Sequence, residues 1–404
     1  MYRYIFLLLL YVFAANAAEQ QQTVKLGIDL VVDNDFEIFR GKRLAILSNN
    51  AGRASNKKLS AELFVKSQKC RVVSIFAPEH GFKTWVRAGR KVKDDSLFGL
   101  PVYSLYGRNR RPQKHQLDNV DMVIIDLQDI GIRSYTYISS MYNMLDACAE
   151  WGIPVIVLDR PNPMSGLIVD GNVPDPGMQS FVSIIPVSYI HGCTIGELAQ
   201  MINEEGWLPN DIFGKPRKCN LSIIAMENWH RNMVWEDTGI HWTPTSPNIP
   251  TPQSVRGCAM MGIFGELGLF PISLGVKLPF QYFGRIKFDN IQPIIDSINF
   301  PGIVLEPVFR KSTTGIRLKF EYSLSFAPYT SGIRLFLAVK RLQPELFNPL
   351  KVRVSRKKMF AKVTGTKKLF NALFNNNTES NVIQIATKGL EEYKKLRQKY
   401  LIYD

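Results

Sequence analysis

The sequence RVVSIFAPEHG, residues 71–81, joins a predicted buried strand to two ionisable side chains. Its first half, Arg71–Phe76, is a largely apolar run with β-branched residues, which predicts a buried strand of a parallel sheet. Its second half places a carboxylate, Glu79, and an imidazole, His80, beside Gly81 where that strand ends. Because open α/β sheets bind ligands outside the carboxyl ends of their strands, Glu79 is the candidate chemical centre.

Short apolar strands alternate with amphipathic helices through the first half of the chain. This alternation predicts βαβ units and therefore a Rossmann-like parallel sheet, an α/β fold. The last of the helices begins with a capping box formed by Thr194 and Glu197. The other predicted strands are Lys42–Leu47, Asp121–Asp126 and Ile153–Leu158, and the helices are Lys58–Ser67, Ser139–Trp151 and Thr194–Glu205.

The pattern changes after a proline-rich stretch, Pro244–Pro252. Short alternating segments at Gly315–Phe320 and Gly332–Val339 predict strands, and Gly389–Tyr400 predicts a closing amphipathic helix. We therefore predict a Rossmann-like domain followed by a smaller α+β domain. The predicted segments are a signal peptide at 1–17, a Rossmann-like catalytic domain at 24–250 and a basic α+β auxiliary domain at 251–404.

The N-terminal residues have the order of a secretory signal peptide. Arg3 is followed by the apolar run Ile5–Phe13 and then by Ala15-Asn16-Ala17, which predicts cleavage after Ala17. We therefore expect an exported chain, periplasmic or secreted, with an uncleaved anchor as the alternative. The five cysteines are widely spaced and never form CxxC, which disfavours a metal cluster.

The net charge of +15 is concentrated near the C-terminus. From Arg310 to Asp404 there are 20 Lys and Arg against 6 Asp and Glu, so this quarter carries +14. Such a region can contact nucleic acid, anionic lipid or an anionic wall polymer, or can simply be a solvated basic surface. Export argues against nucleic acid, so we expect contact with anionic components of the cell envelope.

Each of the first four predicted strands delivers polar side chains at its carboxyl end. A parallel sheet brings those ends to one edge, and crowded carboxylates shift one another's pKa values apart, as general acid and base chemistry requires. For any single Asp, a capping or turn role is the alternative. The set consists of Asn49, then Glu79 and His80, then Asp126, Gln128 and Asp129, and finally Asp159, Arg160 and Asn162.

The segment after the third predicted strand adds Arg133, Tyr135 and Tyr137. Aromatic faces stack on the C–H faces of sugar rings, although ordinary core packing is the alternative for these tyrosines. Arg133 or Arg160 can pair bidentately with a substrate carboxylate. His191 precedes the helix at Thr194 and suits either a structural or a site role.

Motifs for the common cofactors are absent from the sequence. GxGxxG does not follow the first strand, and neither a P-loop nor GxSxG nor HExxH is found. The spacing of His80, His191, His230 and His241 is not that of metal ligands. We therefore expect no cofactor and no metal.

The motifs of this chain resemble those of the bacterial DUF1343 family, whose characterised members are exo-β-N-acetylmuramidases of the NamZ type. The resemblance extends over about Lys42 to Phe283. Arg90 stands where the family has an acidic residue in A-G-E-x-V, and Gln281 stands where it has glutamate in P-F-E. The matching stretches are FAPEHG (76–81), GLPVYSLYG (99–107), DLQDIGIRSYTY (126–137), LDRPNP (158–163), HGCTIGE (191–197) and SPNIPT (246–251).

The resemblance implies a Rossmann-like domain, a smaller second domain and an active cleft between them. It also implies release of terminal N-acetylmuramic acid from the non-reducing end of peptidoglycan fragments, without metal or nucleotide. Glu79 is the counterpart of the family's proposed catalytic glutamate, and Asn248 joins the candidate substrate-binding residues. The implied partners are peptidoglycan-derived glycans or muropeptides.

The working hypothesis is a glycoside hydrolase in which Glu79 protonates the departing glycosidic oxygen. Asp126 or Asp129 would activate water or stabilise the oxocarbenium-like charge, and His80 would tune Glu79. Arg133 or Arg160 would hold the substrate carboxylate. The competing hypothesis is a non-catalytic peptidoglycan-binding envelope protein that uses the same cleft. An esterase or amidase is a third reading, for which the chain has no recognisable nucleophile motif.

Overall fold

The first lobe is built on a sheet that contains seven strands in the residues that the structure describes. The structure is a computed structural model covering residues 23–310, 313–321, 323–375 and 377–404, so the predicted signal peptide at 1–17 lies outside the described residues. The strands are β1 (Arg43–Ser48), β2 (Arg71–Ala77), β3 (Asp95–Leu97), β4 (Leu100–Ser104), β5 (Met122–Asp126), β6 (Val155–Leu158) and β7 (Leu221–Ile224).

The strand order is β3-β4-β2-β1-β5-β6-β7, with β3 antiparallel to β4 and the other neighbouring pairs parallel. From the central strand β1 the chain moves to one edge through β2, and then to the other edge through β5. The loops after β1, β2 and β5 therefore meet at the carboxyl edge, where such sheets bind ligands. This arrangement confirms the predicted α/β fold.

Four helices of the first lobe are α1 (Gly27–Asp33), α2 (Ser60–Lys66), α3 (Tyr137–Trp151) and α4 (Ile195–Glu204). The sequence prediction placed the ends of β1, β2, β5, β6 and α2–α4 within two residues of these bounds. The predicted capping box is confirmed, because Thr194 Oγ1 accepts from the Glu197 N–H while Glu197 Oε2 accepts from the Thr194 N–H.

The second lobe combines a small antiparallel sheet with helices. Its strands are β8 (Tyr282–Gly284), β9 (Ile303–Arg310) and β10 (Thr313–Phe320), in the order β8-β10-β9. The predicted strand Gly315–Phe320 lies within β10 and is confirmed. The helices are α5 (Pro252–Gly265), α6 (Phe288–Asp296), α7 (Pro328–Leu342), α8 (Val354–Thr364), α9 (Lys368–Phe374) and α10 (Glu379–Ala386).

The predicted strand Gly332–Val339 is wrong, because these residues lie inside helix α7. Tyr329, Ile333 and Phe336 are fully buried at the spacing of one helix face. The segment Gly332–Val339 is too short to show this periodicity, because it excludes Tyr329. Gly332 is required by close helix packing. A Cβ atom at this position would lie 2.2 Å from the carbonyl oxygen of Met260 in α5.

The end of the chain returns to the first lobe. Helix α11 (Leu390–Arg397) and the 3₁₀ turn after it bury Tyr393 and Tyr400 in the same core as β1, β5 and α3. The Tyr403 hydroxyl donates to Asp159 Oδ2 at 2.6 Å. The last residues in sequence therefore support the first sheet.

Short 3₁₀ helices complete the described structure, at Glu37–Phe39, Lys114–Gln116, Trp235–Thr238, Pro344–Leu346, Pro349–Lys351 and Gln398–Tyr400. All five cysteines are free thiols. In the portion of the chain covered by the structure, no helix combines the length and apolar character needed to cross a bilayer.

Candidate active site

A cleft of about 390 Å³ lies between the two lobes at the carboxyl edge of the first sheet. The first lobe contributes the loops after β2 and β5, and the proline-rich segment contributes Ser246 and Asn248. The opposite wall comes from the second lobe. It consists of Cys258, Gly262, Glu266, Phe280, Met359 and Val363.

Glu79 lies in this cleft immediately after β2 and is only 7% exposed. Its Oε1 accepts a hydrogen bond from the Gly89 N–H at 2.9 Å, and its Oε2 accepts one from Thr136 Oγ1 at 2.7 Å. Burial and the nearby Glu79 carboxylate together raise the pKa of Tyr106. The carboxylate predicted to be the chemical centre is therefore held in a defined position with two donors directed at it.

His80 also lines the cleft and is fixed by its backbone and its ring. It has a left-handed φ of 73°, followed by Gly81 at 71°, so the chain turns sharply after Glu79. Such a conformation is unfavourable for a residue with a Cβ and is typically retained at functional sites. The Nδ1 atom lies 2.6 Å from the Val86 carbonyl oxygen, which can only accept. Nδ1 is therefore the donor of this hydrogen bond.

Among the predicted site residues, four line the cleft in the described structure: Glu79, His80, Tyr135 and Asn248. Tyr135 is half-buried, and its ring packs against Tyr137 with a centroid distance of 4.5 Å. Asn248 is exposed at the rim. The other predicted residues are not part of this cleft lining, and Gln128 and Arg160 line a separate small pocket.

Asp126 and Arg160 form a buried ion pair and do not line the cleft. Arg160 Nε lies 2.5 Å from Asp126 Oδ1, and Arg160 Nη2 lies 2.9 Å from Oδ2. Arg160 also donates to the Arg53 carbonyl oxygen at 2.9 Å. Both carboxylate oxygens are thus engaged, which corrects the expectation that Asp126 activates water and that Arg160 binds a substrate carboxylate.

Arg133 is 1% exposed and is surrounded by carbonyl oxygens. Its Nη1 donates to Asn172 at 2.5 Å and Val187 at 2.8 Å, and its Nη2 donates to Thr364 at 2.9 Å. Burial lowers the pKa of Arg133 to about 10. The predicted role as a substrate-carboxylate ligand is therefore not supported, since this guanidinium joins the first lobe to the C-terminal end of α8.

Asp129 and His191 form a second buried pair behind the cleft. Asp129 Oδ2 accepts from the Gly131 N–H at 2.7 Å and lies 3.1 Å from His191 Nε2. Asp129 Oδ1 is buried and has no hydrogen-bond partner within the described residues. His191 is fully buried, so the structure places it as a partner of Asp129 and not as a surface that meets substrate.

Asn49, Tyr137 and Gln128 connect loops. Asn49 Nδ2 donates to the Tyr137 hydroxyl at 2.7 Å, and that hydroxyl donates to the Thr245 carbonyl oxygen of the proline-rich segment. Gln128 Nε2 donates to the Pro161 carbonyl oxygen at 2.9 Å. These side chains, predicted to bind substrate, instead position the residues that form the cleft.

Asp159 and Asn162 support the beginning of helix α4. Asp159 accepts from Thr194 Oγ1 at 2.7 Å and from the Gly196 N–H at 2.8 Å, and Asn162 Nδ2 donates to the Cys193 carbonyl oxygen at 3.0 Å. Both side chains are buried. Their predicted substrate contacts are replaced by contacts within the fold.

Several cleft residues were missed by sequence reasoning. Thr136 lies inside the motif DLQDIGIRSYTY and Tyr106 inside GLPVYSLYG, and both line the cleft. Their place in these motifs could have indicated a site role, but neither is among the predicted site residues. Glu266 and Phe280 come from the second lobe, and only the tertiary fold brings them to the site. Gln281, the position that departs from the family pattern, is buried and lies outside the cleft lining.

Within the described residues, no group of three or more His, Cys, Asp or Glu side chains is placed to hold a metal ion. The fold and the site together define a two-lobed α/β protein whose cleft is centred on a buried glutamate with hydroxyl and aromatic neighbours.

Sequence models of a known family match nearly the whole described chain. The N-terminal model of exo-β-N-acetylmuramidase NamZ matches residues 44–253, and the C-terminal model matches residues 259–403. The peptidoglycan β-N-acetylmuramidase NamZ of Bacillus subtilis is 31% identical over 401 residues, covering 96% of this chain and 93% of that protein. The chain therefore belongs to the NamZ family of exo-β-N-acetylmuramidases, which confirms the resemblance seen in the motifs.

Two crystal structures of DUF1343-family proteins from Bacteroides fragilis have the same fold. One is 32% identical with a TM-score of 0.85, covering 95% of this chain and 99% of the crystallised chain. The other is 26% identical with a TM-score of 0.68, covering 94% and 99%. The two-lobed architecture is thus shared with both crystallised relatives.

Proposed function

We propose that this chain is a glycoside hydrolase that releases terminal N-acetylmuramic acid from the non-reducing end of peptidoglycan fragments. The main support for the proposal is the position of Glu79 in the inter-lobe cleft, where Thr136 and Gly89 orient its buried carboxylate. The chain that holds it belongs to the NamZ family. The cleft volume is within the range of small-ligand sites, about 300–1,000 Å³.

The cleft wall suits a sugar ring. Tyr106 and Tyr135 offer aromatic faces, and Ser134 and Ser246 offer hydroxyl groups at the same surface. Sugars bind proteins through these two kinds of contact, C–H faces against aromatic rings and hydroxyls against polar edges. Among the predicted site residues that line the cleft, Glu79 and His80 carry the side chains best suited to acid–base chemistry near neutral pH.

The proposed place of action is the cell envelope. The basic, apolar and small-residue regions of residues 1–17 have the order of a signal peptide, with cleavage after Ala17. Peptidoglycan fragments lie outside the cytoplasmic membrane, so an exported chain would meet its substrate during cell-wall turnover. Fractionation of cells followed by N-terminal sequencing of the mature chain tests both parts of this proposal.

The basic C-terminal quarter is proposed to meet the anionic part of the substrate through helix α8. Met359 and Val363 of this helix line the cleft, and the exposed Lys358 and Lys362 lie beside them in sequence. Neither lysine forms an ion pair within the described residues. Exchanging both for Gln should raise KM several-fold for peptide-bearing muropeptides and leave kcat and the peptide-free disaccharide unaffected. An unchanged KM would reject this contact.

The decisive experiment for the activity is a digest of purified muropeptides and of the N-acetylmuramic acid–N-acetylglucosamine disaccharide. The wild type should release free N-acetylmuramic acid, and Glu79→Gln should not. Glu62→Gln, which removes a surface carboxylate from α2, is the matched control. Retention on peptidoglycan without any released monosaccharide would instead favour the non-catalytic binding protein.

A further inference from the structure

Hydrolysis of a glycosidic bond ordinarily uses two carboxyl groups that flank the scissile bond. Glu79 supplies one of them under the proposed function, on which this inference rests. The two aspartates expected to supply the other do not line the cleft. Both oxygens of Asp126 are bound to Arg160, and Asp129 is paired with His191 behind the wall.

Glu266 is the other carboxyl group in the cleft lining formed by the described residues. It lies in the second lobe at the residue that ends helix α5, on the wall across from the first-lobe loops. The Arg356 guanidinium of α8 donates to the carbonyl oxygens of Gly265 at 3.1 Å and Glu266 at 3.3 Å. The main chain that carries this side chain is therefore anchored by a neighbouring helix.

The surroundings of Glu266 differ from those of Glu79. Cys258, Phe280 and Met359 share its wall, and within the described residues no hydrogen-bond donor reaches its carboxyl oxygens. Burial raises the pKa of Glu266, with Arg356 opposing that rise. Glu79, in contrast, accepts a hydrogen bond on each of its two carboxyl oxygens, from the Gly89 N–H and from the Thr136 hydroxyl.

We propose that Glu266 is the second catalytic carboxyl group and acts as the general acid, with Glu79 as the charged carboxylate. Paired carboxyl groups in unlike environments take unlike roles in this way. This assignment reverses the role that the sequence suggested for Glu79. It also gives each lobe one of the two reacting groups.

The proposed step transfers protons between the two carboxyl groups, the sugar and water. Glu266 gives its proton to the glycosidic oxygen while the bond from that oxygen to C1 breaks, and the electron pair stays on the oxygen. The Glu79 carboxylate stabilises the positive charge on C1 and takes a proton from the attacking water, whose oxygen bonds to C1. Exchange with solvent then removes the proton from Glu79 and returns one to Glu266 before the next turnover.

The leaving group provides the test. The glycosidic oxygen of a departing sugar must be protonated as the bond breaks, because a sugar alkoxide is a poor leaving group. In contrast, 4-nitrophenolate leaves readily without an acid. Glu266→Gln should therefore lose about 10²- to 10⁴-fold in kcat on the disaccharide, but less than tenfold on the 4-nitrophenyl β-glycoside of N-acetylmuramic acid. Glu79→Gln should lose both activities to a similar extent. Glu392→Gln, which removes an exposed carboxylate from α11, is the control.

The wild type supplies a second measurement that does not depend on any variant folding. Its activity on the disaccharide should fall on the alkaline side as the acid deprotonates, and its activity on the nitrophenyl substrate should fall less. A disaccharide rate at wild-type level in Glu266→Gln, or equal losses on both substrates, would overturn the assignment. So would identical alkaline limbs for the two wild-type substrates. If the wild type releases no monosaccharide, the proposed function itself fails, which is a separate outcome.

Discussion

Thr136 donates its hydroxyl hydrogen to Glu79 Oε2 at 2.7 Å, joining two loops that are 57 residues apart in sequence. Thr136 stands at the N-cap of α3, yet its side chain does not cap the helix. A residue type that normally satisfies a helix end is used here to orient a carboxylate.

Removal of this hydroxyl should reduce catalysis and leave the fold intact. Hydrogen bonds to charged groups are worth about 1.5–3 kcal/mol, so Thr136→Val should lower kcat by about 10- to 100-fold with little change in KM. Thr136→Ser keeps the donor and should remain close to wild type. Steady-state kinetics on the disaccharide checks both variants, and a wild-type kcat for Thr136→Val would contradict the role.

Asp126→Ala should destabilise the protein and should not act directly on the chemistry. Loss of one partner from a buried ion pair costs about 3–5 kcal/mol, because Arg160 is left buried and charged. Denaturant unfolding measures this loss, and single-turnover kinetics of the folded fraction should remain near wild type. A stable Asp126→Ala protein without activity would return Asp126 to the list of catalytic candidates.

Arg133→Met should weaken the connection between the lobes. The substitution keeps much of the side-chain volume but leaves the carbonyl oxygens of Asn172 and Val187 without their donor, whereas the Thr364 carbonyl oxygen keeps its hydrogen bond from Asn172 Nδ2. Unsatisfied buried acceptors cost about 1–3 kcal/mol each, so the free energy of unfolding should fall by about 2 kcal/mol or more. Arg108→Met on the surface is the control. Equal stability of the two variants would contradict the role of Arg133 in joining the lobes.

Stability should depend on pH through Asp159. Burial outweighs the donors Tyr403 and Thr194 and raises the pKa of Asp159 to about 6, above the value of 3.8 for an exposed Asp. The folded chain thus binds this proton more tightly than the unfolded chain. This contribution is fully present below about pH 4 and is lost as the pH rises through 6.

The corresponding change is on the order of 3 kcal/mol at 1.4 kcal/mol per pKa unit. The urea midpoint of the wild type, compared with that of Asp159→Asn at each pH, should increase as the pH falls from 7.5 to 5. Comparison of the two proteins cancels the titration of groups elsewhere. A wild-type advantage that grows with rising pH would contradict the prediction.

The strands and the cleft glutamate could be predicted from sequence because they depend on local patterns. The apolar runs of β2, β5 and β6 and the capping box at Thr194 are such patterns, and so is the turn at His80 and Gly81. The strand predicted at Gly332–Val339 failed because a short alternating window cannot distinguish a strand from a helix buried on several sides.

The side-chain roles at the other strand ends could not be predicted, for a geometric reason. Successive side chains near a strand end point to opposite faces, so position alone does not say which of them meet the cleft. Asp126 is still paired within the sheet, opposite Ser48, and its carboxylate meets Arg160. Glu266 belongs to the other lobe, and no local pattern relates it to Glu79.

The return of the C-terminal residues to the first sheet limits how these proteins can be recombined. Tyr393 and Tyr400 pack in the hydrophobic core of the first lobe, and the Tyr403 hydroxyl donates to Asp159. All three residues follow the second lobe in sequence. A chimera that exchanges everything after residue 250 between relatives would also exchange part of the first lobe's interior. Successful grafts should therefore keep the native closing segment from Leu390 onward, so that the transferable unit is an insertion and not a C-terminal half.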